Sequence, residues 1–137
     1  MKTHRTLITV FGIVILPFIH IISVHSANLV GRIVDAESRE PLAARVYIEN
    51  SRGHWFFVES NTEDGSTVRY DKTNWMQKES FEKHTTVSAN PFKANLPPGK
   101  YTITVERGKE YFAEVKQVSL DQVGANIEIR LRRWINL

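Results

Sequence analysis

Three observations predict an all-β fold, a seven-stranded antiparallel β-sandwich. Residues 27–137 hold about seven short stretches rich in β-branched and aromatic residues, several with apolar residues at every second position. Turn-forming clusters of Gly, Pro, Asn, Asp and Ser separate them. No stretch of about 11 or more residues in that region sustains a helical period.

The elements follow in chain order. Leu29 to Val34 is mostly apolar or β-branched, with Gly31 inside it, and the polar run from Asp35 to Pro41 reads as a turn. Leu42 to Glu49 alternates Ala44, Val46 and Ile48 with Arg45, Tyr47 and Glu49, the pattern of a strand with one buried face. Ser51-Arg52-Gly53 turns the chain, and His54 to Glu59 is aromatic and β-branched, hence a strand. Asp64-Gly65 predicts a tight turn, because both residues tolerate positive φ, with Val68 to Tyr70 pairing back across it. Asp71 to Lys83 is the least periodic part and predicts a loop, with a helical turn around Gln77 to Glu82.

Thr85 to Ala89 is a short strand closed by Asn90-Pro91, and Phe92 to Asn95 extends towards Leu96-Pro97-Pro98-Gly99. That segment must turn: its prolines offer no backbone donor and its glycine is unrestricted. Tyr101, Ile103 and Val105 then alternate with Thr102, Thr104 and Glu106. After Arg107-Gly108-Lys109 comes a strand from Tyr111 to Leu120, a turn from Asp121 to Ala125, and a last strand carrying Ile127, Ile129 and Leu131. The inward-facing set is expected to be Val46, Ile48, Tyr101, Ile103, Val105, Ile127, Ile129 and Leu131.

Residues 1–26 are a different material. Lys2 and Arg5 give a positive start, Thr6 to Val24 carries no charge, and Val24 and Ser26 suit the positions three and one before a signal-peptidase cut. The segment reads as a secretory signal peptide cleaved after Ser26. The rival is a retained membrane anchor, which Pro17 and His20 disfavour by interrupting the apolar run. The expected organisation is therefore 1–26 signal peptide and 27–137 a single domain, secreted or periplasmic, with no membrane contact after cleavage. Removing residues 1–26 takes away Lys2 and Arg5 and no acid, so the formal charge falls from +3 to +1. A basic pI of about 9.3 thus stems largely from the leader, and nucleic-acid binding loses its main warrant.

At 42% hydrophobic and 24% charged, the composition is that of a globular domain rather than a disordered chain. The chain has no Cys, which excludes a disulfide framework, a Cys-ligated zinc site and a thiol nucleophile. There is no Asn-x-Ser/Thr sequon for N-glycosylation.

Two segments taken together carry a family resemblance. Val30-Gly31-Arg32-Ile33-Val34-Asp35 with Glu40-Pro41-Leu42-Ala43-Ala44-Arg45-Val46, and Leu96-Pro97-Pro98-Gly99-Lys100-Tyr101-Thr102-Ile103-Thr104-Val105, resemble the carboxypeptidase-regulatory-like domains. The resemblance implies a transthyretin-like, Ig-like sandwich with a carbohydrate-binding-like fold. The first segment would open the sandwich, and the second would be a proline-glycine corner feeding a core strand. A narrower likeness involves the run from His84 to Phe92, the run from Val105 to Tyr111, and Leu131-Arg132-Arg133-Trp134-Ile135. These look like the amino-terminal module of secreted bacterial metal-dependent hydrolases of the polymerase-and-histidinol-phosphatase type, in which a His-rich catalytic domain follows.

Chemistry is poorly provided for. Only His54 and His84 remain after leader removal, 30 residues apart, and no metal-ligand spacing joins them. Ser88 stands four residues after His84, which on a strand separates them by roughly 13 Å, too far for a nucleophile and its base. Asp71, Glu79 and Glu82 read as solvated carboxylates rather than an acid–base pair. Glu63-Asp64-Gly65 lacks the spacing of a calcium loop. No catalytic residue, metal or cofactor is expected.

Aromatic residues are the remaining signal. Trp55-Phe56-Phe57-Val58 is apolar on both strand faces, Trp75 sits in the irregular stretch, and Trp134 follows Arg132 and Arg133 beyond the last strand. Trp55, Trp75 and Trp134 are therefore the candidate binding surface, since exposed rings stack on sugars or anchor partner domains. The competing reading buries Trp55 and Trp75 in the fold and folds Trp134 back on the sandwich edge. The expectation is a non-enzymatic secreted accessory module that binds another protein domain. A carbohydrate-binding module with a glycan ligand is one alternative. The other is the amino-terminal fragment of a secreted metal-dependent hydrolase whose catalytic domain is missing.

Overall fold

The computed structural model describes residues 26–135. The signal-peptide reading falls almost wholly outside them, as does Leu137. There is no helix among the described residues, and so none long and apolar enough to cross a membrane.

Ten strands form two sheets. They are β1 (Ala27–Asp35), β2 (Ala44–Asn50), β3 (Trp55–Phe56), β4 (Glu59–Ser60), β5 (Thr67–Thr73), β6 (Phe81–Val87), β7 (Phe92–Leu96), β8 (Gly99–Glu106), β9 (Glu114–Leu120) and β10 (Ala125–Leu131). The smaller sheet has the order β10-β1-β7-β4; the larger runs β5-β6-β2-β8-β9, with β3 attached to β2. The core lies between them. Leu29, Ile33, Phe92, Leu96, Ile129 and Leu131 face inward from the small sheet, and Val46, Ile48, Val87, Ile103, Val105 and Leu120 from the large one. Seven of the eight residues expected to face inward are buried in this cluster, and the eighth, Ile127, is partly buried and packs against it.

The all-β sandwich is as the sequence predicts, with differences in detail. There are ten strands rather than seven, one of the additions arising because the 54–59 stretch splits into β3 on one sheet and β4 on the other. The 71–83 stretch is not a loop with a helical turn but the distal part of a β5–β6 hairpin. Val68 to Tyr70 accordingly pairs with β6 rather than across Asp64-Gly65. Gly65 does not have positive φ; it is needed for closeness, since a Cβ there would overlap the Ser60 hydroxyl and lie 2.9 Å from Thr62 Oγ1. The last strand, β10, runs parallel to β1, not antiparallel. Periodicity reports which residues share a face but not the direction of the neighbouring strand. The strand expected from Tyr111 begins at Glu114.

Leu96-Pro97-Pro98-Gly99 is the corner where the chain changes sheet, and the Tyr101 hydroxyl donates to the Pro97 carbonyl at 2.6 Å. A second tie joins distant parts of the chain. Asp35 Oδ1 accepts the backbone N–H groups of Ser38 (2.9 Å) and Glu37 (2.8 Å), and Oδ2 accepts the buried Tyr111 hydroxyl at 2.9 Å. Arg133 Nη2 donates to that hydroxyl in turn, at 2.6 Å. These donors, the Ser38 and Glu37 amides foremost, hold the Asp35 carboxyl at about 2. Glu128 is likewise held at about 2, by guanidinium groups of Arg130, Arg32 and Arg39.

Both carboxyls ionise more readily folded than unfolded, so their contribution to stability is complete above their ordinary values of 3.8 and 4.5. It is lost as pH falls towards about 2. Denaturant midpoints measured from pH 7 downwards should therefore hold until the ordinary carboxylate range and then decline. Asp35→Asn should be less stable than the wild type at pH 7 and converge on it at the acid end. Parallel curves for the two proteins would contradict the assignment.

Candidate interaction surface

The feature that departs most from a closed sandwich is the β5–β6 hairpin. β6 pairs with β2 only through Thr85–Val87. Further along, β3 takes over the same edge of β2, at Ile48 and Glu49, and β6 is displaced from it. The hairpin nevertheless keeps its own ladder to Thr73↔Phe81. Six of the seven β5 residues are exposed, on both faces. The result is a two-stranded arm extending from the large sheet.

The base of the arm is well fixed. The Thr85 hydroxyl, fully buried, accepts the Val58 N–H at 3.1 Å. Ser66 and Ser88 exchange two hydrogen bonds of 2.9 Å, one through the Ser88 side chain. Arg69 lies over the Phe57 ring at 3.7 Å and donates to Asp71 at 2.6 Å. That bond, with the nearby Lys83 ammonium, holds the Asp71 carboxyl below its ordinary value.

The tip is also ordered, by Asn74. Its side-chain oxygen accepts from Met76 N (2.9 Å) and Gln77 N (3.2 Å), and its backbone N–H donates to the Ser80 carbonyl. An Asn side chain that mimics a backbone turn in this way explains why the chain reverses here without glycine or proline. The turn presents Trp75 at 84% exposure and Met76 at 71%, beside the half-exposed Phe81. A large apolar pair left so open by a well-ordered turn is the kind of surface that a partner covers.

Trp55 belongs to the same region. It is half-buried and meets Phe81 edge-on, ring centres 5.6 Å apart. Beside it, Tyr47, Glu49, Thr102, Thr104 and Glu106 line a shallow groove of about 230 Å³ on the outer face of the large sheet. Burial, and then the Glu106 charge, push the Tyr47 hydroxyl upward from its ordinary pKa. His84 is buried between the rings of Tyr47 and Tyr70, each centred 5.2 Å away. Its Nδ1 lies 3.3 Å from Glu82 Oε1 but makes no hydrogen bond. Sequence reasoning weighs His84 only as a metal ligand or a base, and does not place Tyr47, Tyr70, Met76 or Phe81 in the candidate surface. The β-branched, aromatic run Val68 to Tyr70 held the signal for the strand that positions Tyr70.

Trp134 is elsewhere. Trp55 lies opposite Glu49 near the end of β2, whereas Trp134 rests on the 109–112 segment, which follows the β8 residues paired with the start of β2. Its indole N–H donates to the Lys109 carbonyl at 2.5 Å, its backbone N–H to Glu110 at 2.9 Å, and its ring is 6.1 Å from Phe112. It is folded back on the sandwich edge while remaining 56% exposed. Loss of one such hydrogen bond and part of a ring contact amounts to about 1 kcal/mol. Trp134→Ala should thus lower the melting temperature by about 4 °C; an unchanged value would mean that these contacts do not hold in solution.

The three tryptophans are not one surface: Trp55 and Trp75 flank Phe81, and Trp134 forms a separate patch with Phe112. No group of three or more His, Asp or Glu side chains placed to hold a metal occurs among the described residues.

No protein-family model matches this chain, and no curated protein does. Among solved structures it is similar to the C-terminal domain of the shaft pilin SpaA from Lactobacillus rhamnosus GG, at 16% identity with a TM-score of 0.49, over 80% of this chain and 98% of that one.

Proposed function

We propose that this chain is an exported, non-enzymatic module that binds another protein through the β5–β6 arm. Residues 1–26 act as its leader and residues 27–137 as the working domain, in the space beyond the cytoplasmic membrane. The observation that carries the reading is the tip: Asn74 orders a turn that holds Trp75 and Met76 almost fully in solvent. Trp55 and Phe81 widen this contact towards the sandwich. Trp and Met are favoured at the centres of protein interfaces.

The carboxypeptidase-regulatory-like resemblance agrees with such an accessory role, as it agrees with the smaller-sheet strand, the corner at Pro97-Pro98 and the strand that follows. A glycan is the second reading, favoured by the groove in which Tyr47 and Trp55 stand beside threonine hydroxyls and two carboxylates.

Amino-terminal sequencing of the exported protein should begin at Ala27 or Asn28; an intact Met1 in the membrane fraction would support the anchor. The binding test immobilises the exported protein and exposes it to the extracytoplasmic fraction of its producing cells. Trp75→Ala combined with Met76→Ser should abolish retention of a bound protein without changing the melting temperature. Val123→Ser, at another exposed apolar site, should not. Equal retention by both variants would sink the arm as the binding surface. Glycan-array binding that is lost on Trp55→Ala would replace the protein reading with the carbohydrate one.

A further inference from the structure

β5 ends the large sheet, and among the described residues no strand pairs with its outer edge. Seven residues of unpaired backbone, with no proline and both faces open, form a template for another strand. Proteins commonly protect such edges with charge, and β5 carries Arg69, Asp71 and Lys72. The order of these charges matters more than their number.

We propose that β5 pairs with β5 of a second copy, antiparallel and centred on Tyr70. This rests on the reading of the arm as an interaction surface and names the occupant of its edge. In that register Arg69 of each chain faces Asp71 of the other, twice, because a two-fold axis repeats every contact. Shifting the centre to residue 69 puts arginine opposite arginine, and shifting it to residue 71 puts aspartate opposite aspartate. Residues directly opposite on antiparallel strands have Cβ atoms about 4.5–5.5 Å apart, where opposite charges stabilise and like charges destabilise. The edge charges therefore repel the neighbouring registers and favour this one.

Two further features fit. Arg69 is already held in place by Phe57 and by its own Asp71, so little side-chain freedom remains to be lost on pairing. On the outer face, Tyr70 stacks on His84, whose ring meets Tyr47 at a 43° tilt. Tyr70 facing its own copy would join the two rows into one aromatic strip across the dimer. The same register carries each tip, with Trp75, towards the 64–66 turn of the second copy.

The chain has no cysteine, so introduced thiols report without background. Opposed Cα atoms in an antiparallel pair lie about 4.5–5.5 Å apart, within disulfide range. Tyr70→Cys in the exported protein should oxidise to a covalent dimer much faster than Val115→Cys, an exposed site on the opposite edge strand. Sedimentation of the thiol-free protein should show a concentration-dependent monomer–dimer equilibrium. Asp71→Arg and Arg69→Asp should each shift it to monomer, and the double swap should restore the dimer. Cross-linking at residue 70 no faster than at 115, or a double swap that stays as monomeric as the single variants, would overturn the proposal. If the protein is monomeric yet still loses a different bound protein on Trp75→Ala with Met76→Ser, self-pairing fails while the arm reading stands. If neither dimer nor bound protein is found, both fail.

Discussion

Replacing Ile103 by alanine is expected to destabilise the domain by about 2–5 kcal/mol, the range for removing a large buried aliphatic side chain. Ile103 has no exposed surface and sits on β8 opposite Ile48 of β2, in the middle of the large sheet's inner face. Neighbouring strands on both sides hold its backbone, so the structure has little freedom to collapse into the space left behind. A domain is typically stable by about 5–15 kcal/mol, so such a loss should be evident in a urea or guanidinium melt. A change under about 0.5 kcal/mol, typical of a surface substitution, would show that the strand phase is wrong.

The second large effect concerns Gly31 and Phe92, which are paired across β1 and β7. The Phe92 ring lies over Gly31 where a side chain would stand: a Cβ would overlap Cζ and come within about 2.7 Å of both Cε atoms. Gly31→Ala should therefore cost about 1–3 kcal/mol by overpacking, although alanine normally fits a strand better than glycine. Phe92→Ala should cost about 3–5 kcal/mol, since Phe92 is entirely buried. The two sites should couple. Gly31→Ala in a Phe92→Leu background should lose less than the separate losses combined, by about 0.5–3 kcal/mol for residues in direct contact. Strict additivity would mean that the ring does not occupy the space over Gly31.

Where one face of a strand is buried, the sequence was readable. Alternation in β2, β8 and β10 identified Val46, Ile48, Ile103, Val105, Ile129 and Leu131 as core, because burial there leaves only every second residue polar. The proline-glycine corner was equally legible from its missing donors. The outer halves of β5 and β6 were not, for the opposite physical reason. With both faces in solvent, nothing selects apolar residues at every second position, and Lys72-Thr73-Asn74 reads as loop. Glycine ordinarily weakens a strand interior, yet Gly31 makes room for the largest buried side chain on the neighbouring strand.

The candidate surface was legible in part. Trp75 was selected for its place in an irregular stretch, and it is the most exposed tryptophan described. Its companions Met76 and Phe81 become visible only when the hairpin register is known. Trp134 is grouped with it for its place after Arg132 and Arg133 beyond the last strand, but the fold sets the two on separate surfaces.

The proposed contact places the tip of the β5–β6 arm against another protein. The most direct measurement places a photo-reactive amino acid at position 75 and, separately, at position 123, where Val123 is 90% exposed. Irradiation in the producing cells should give a discrete cross-linked protein from position 75 and none from position 123. The same adducts from both positions, or none from position 75, would contradict the claim.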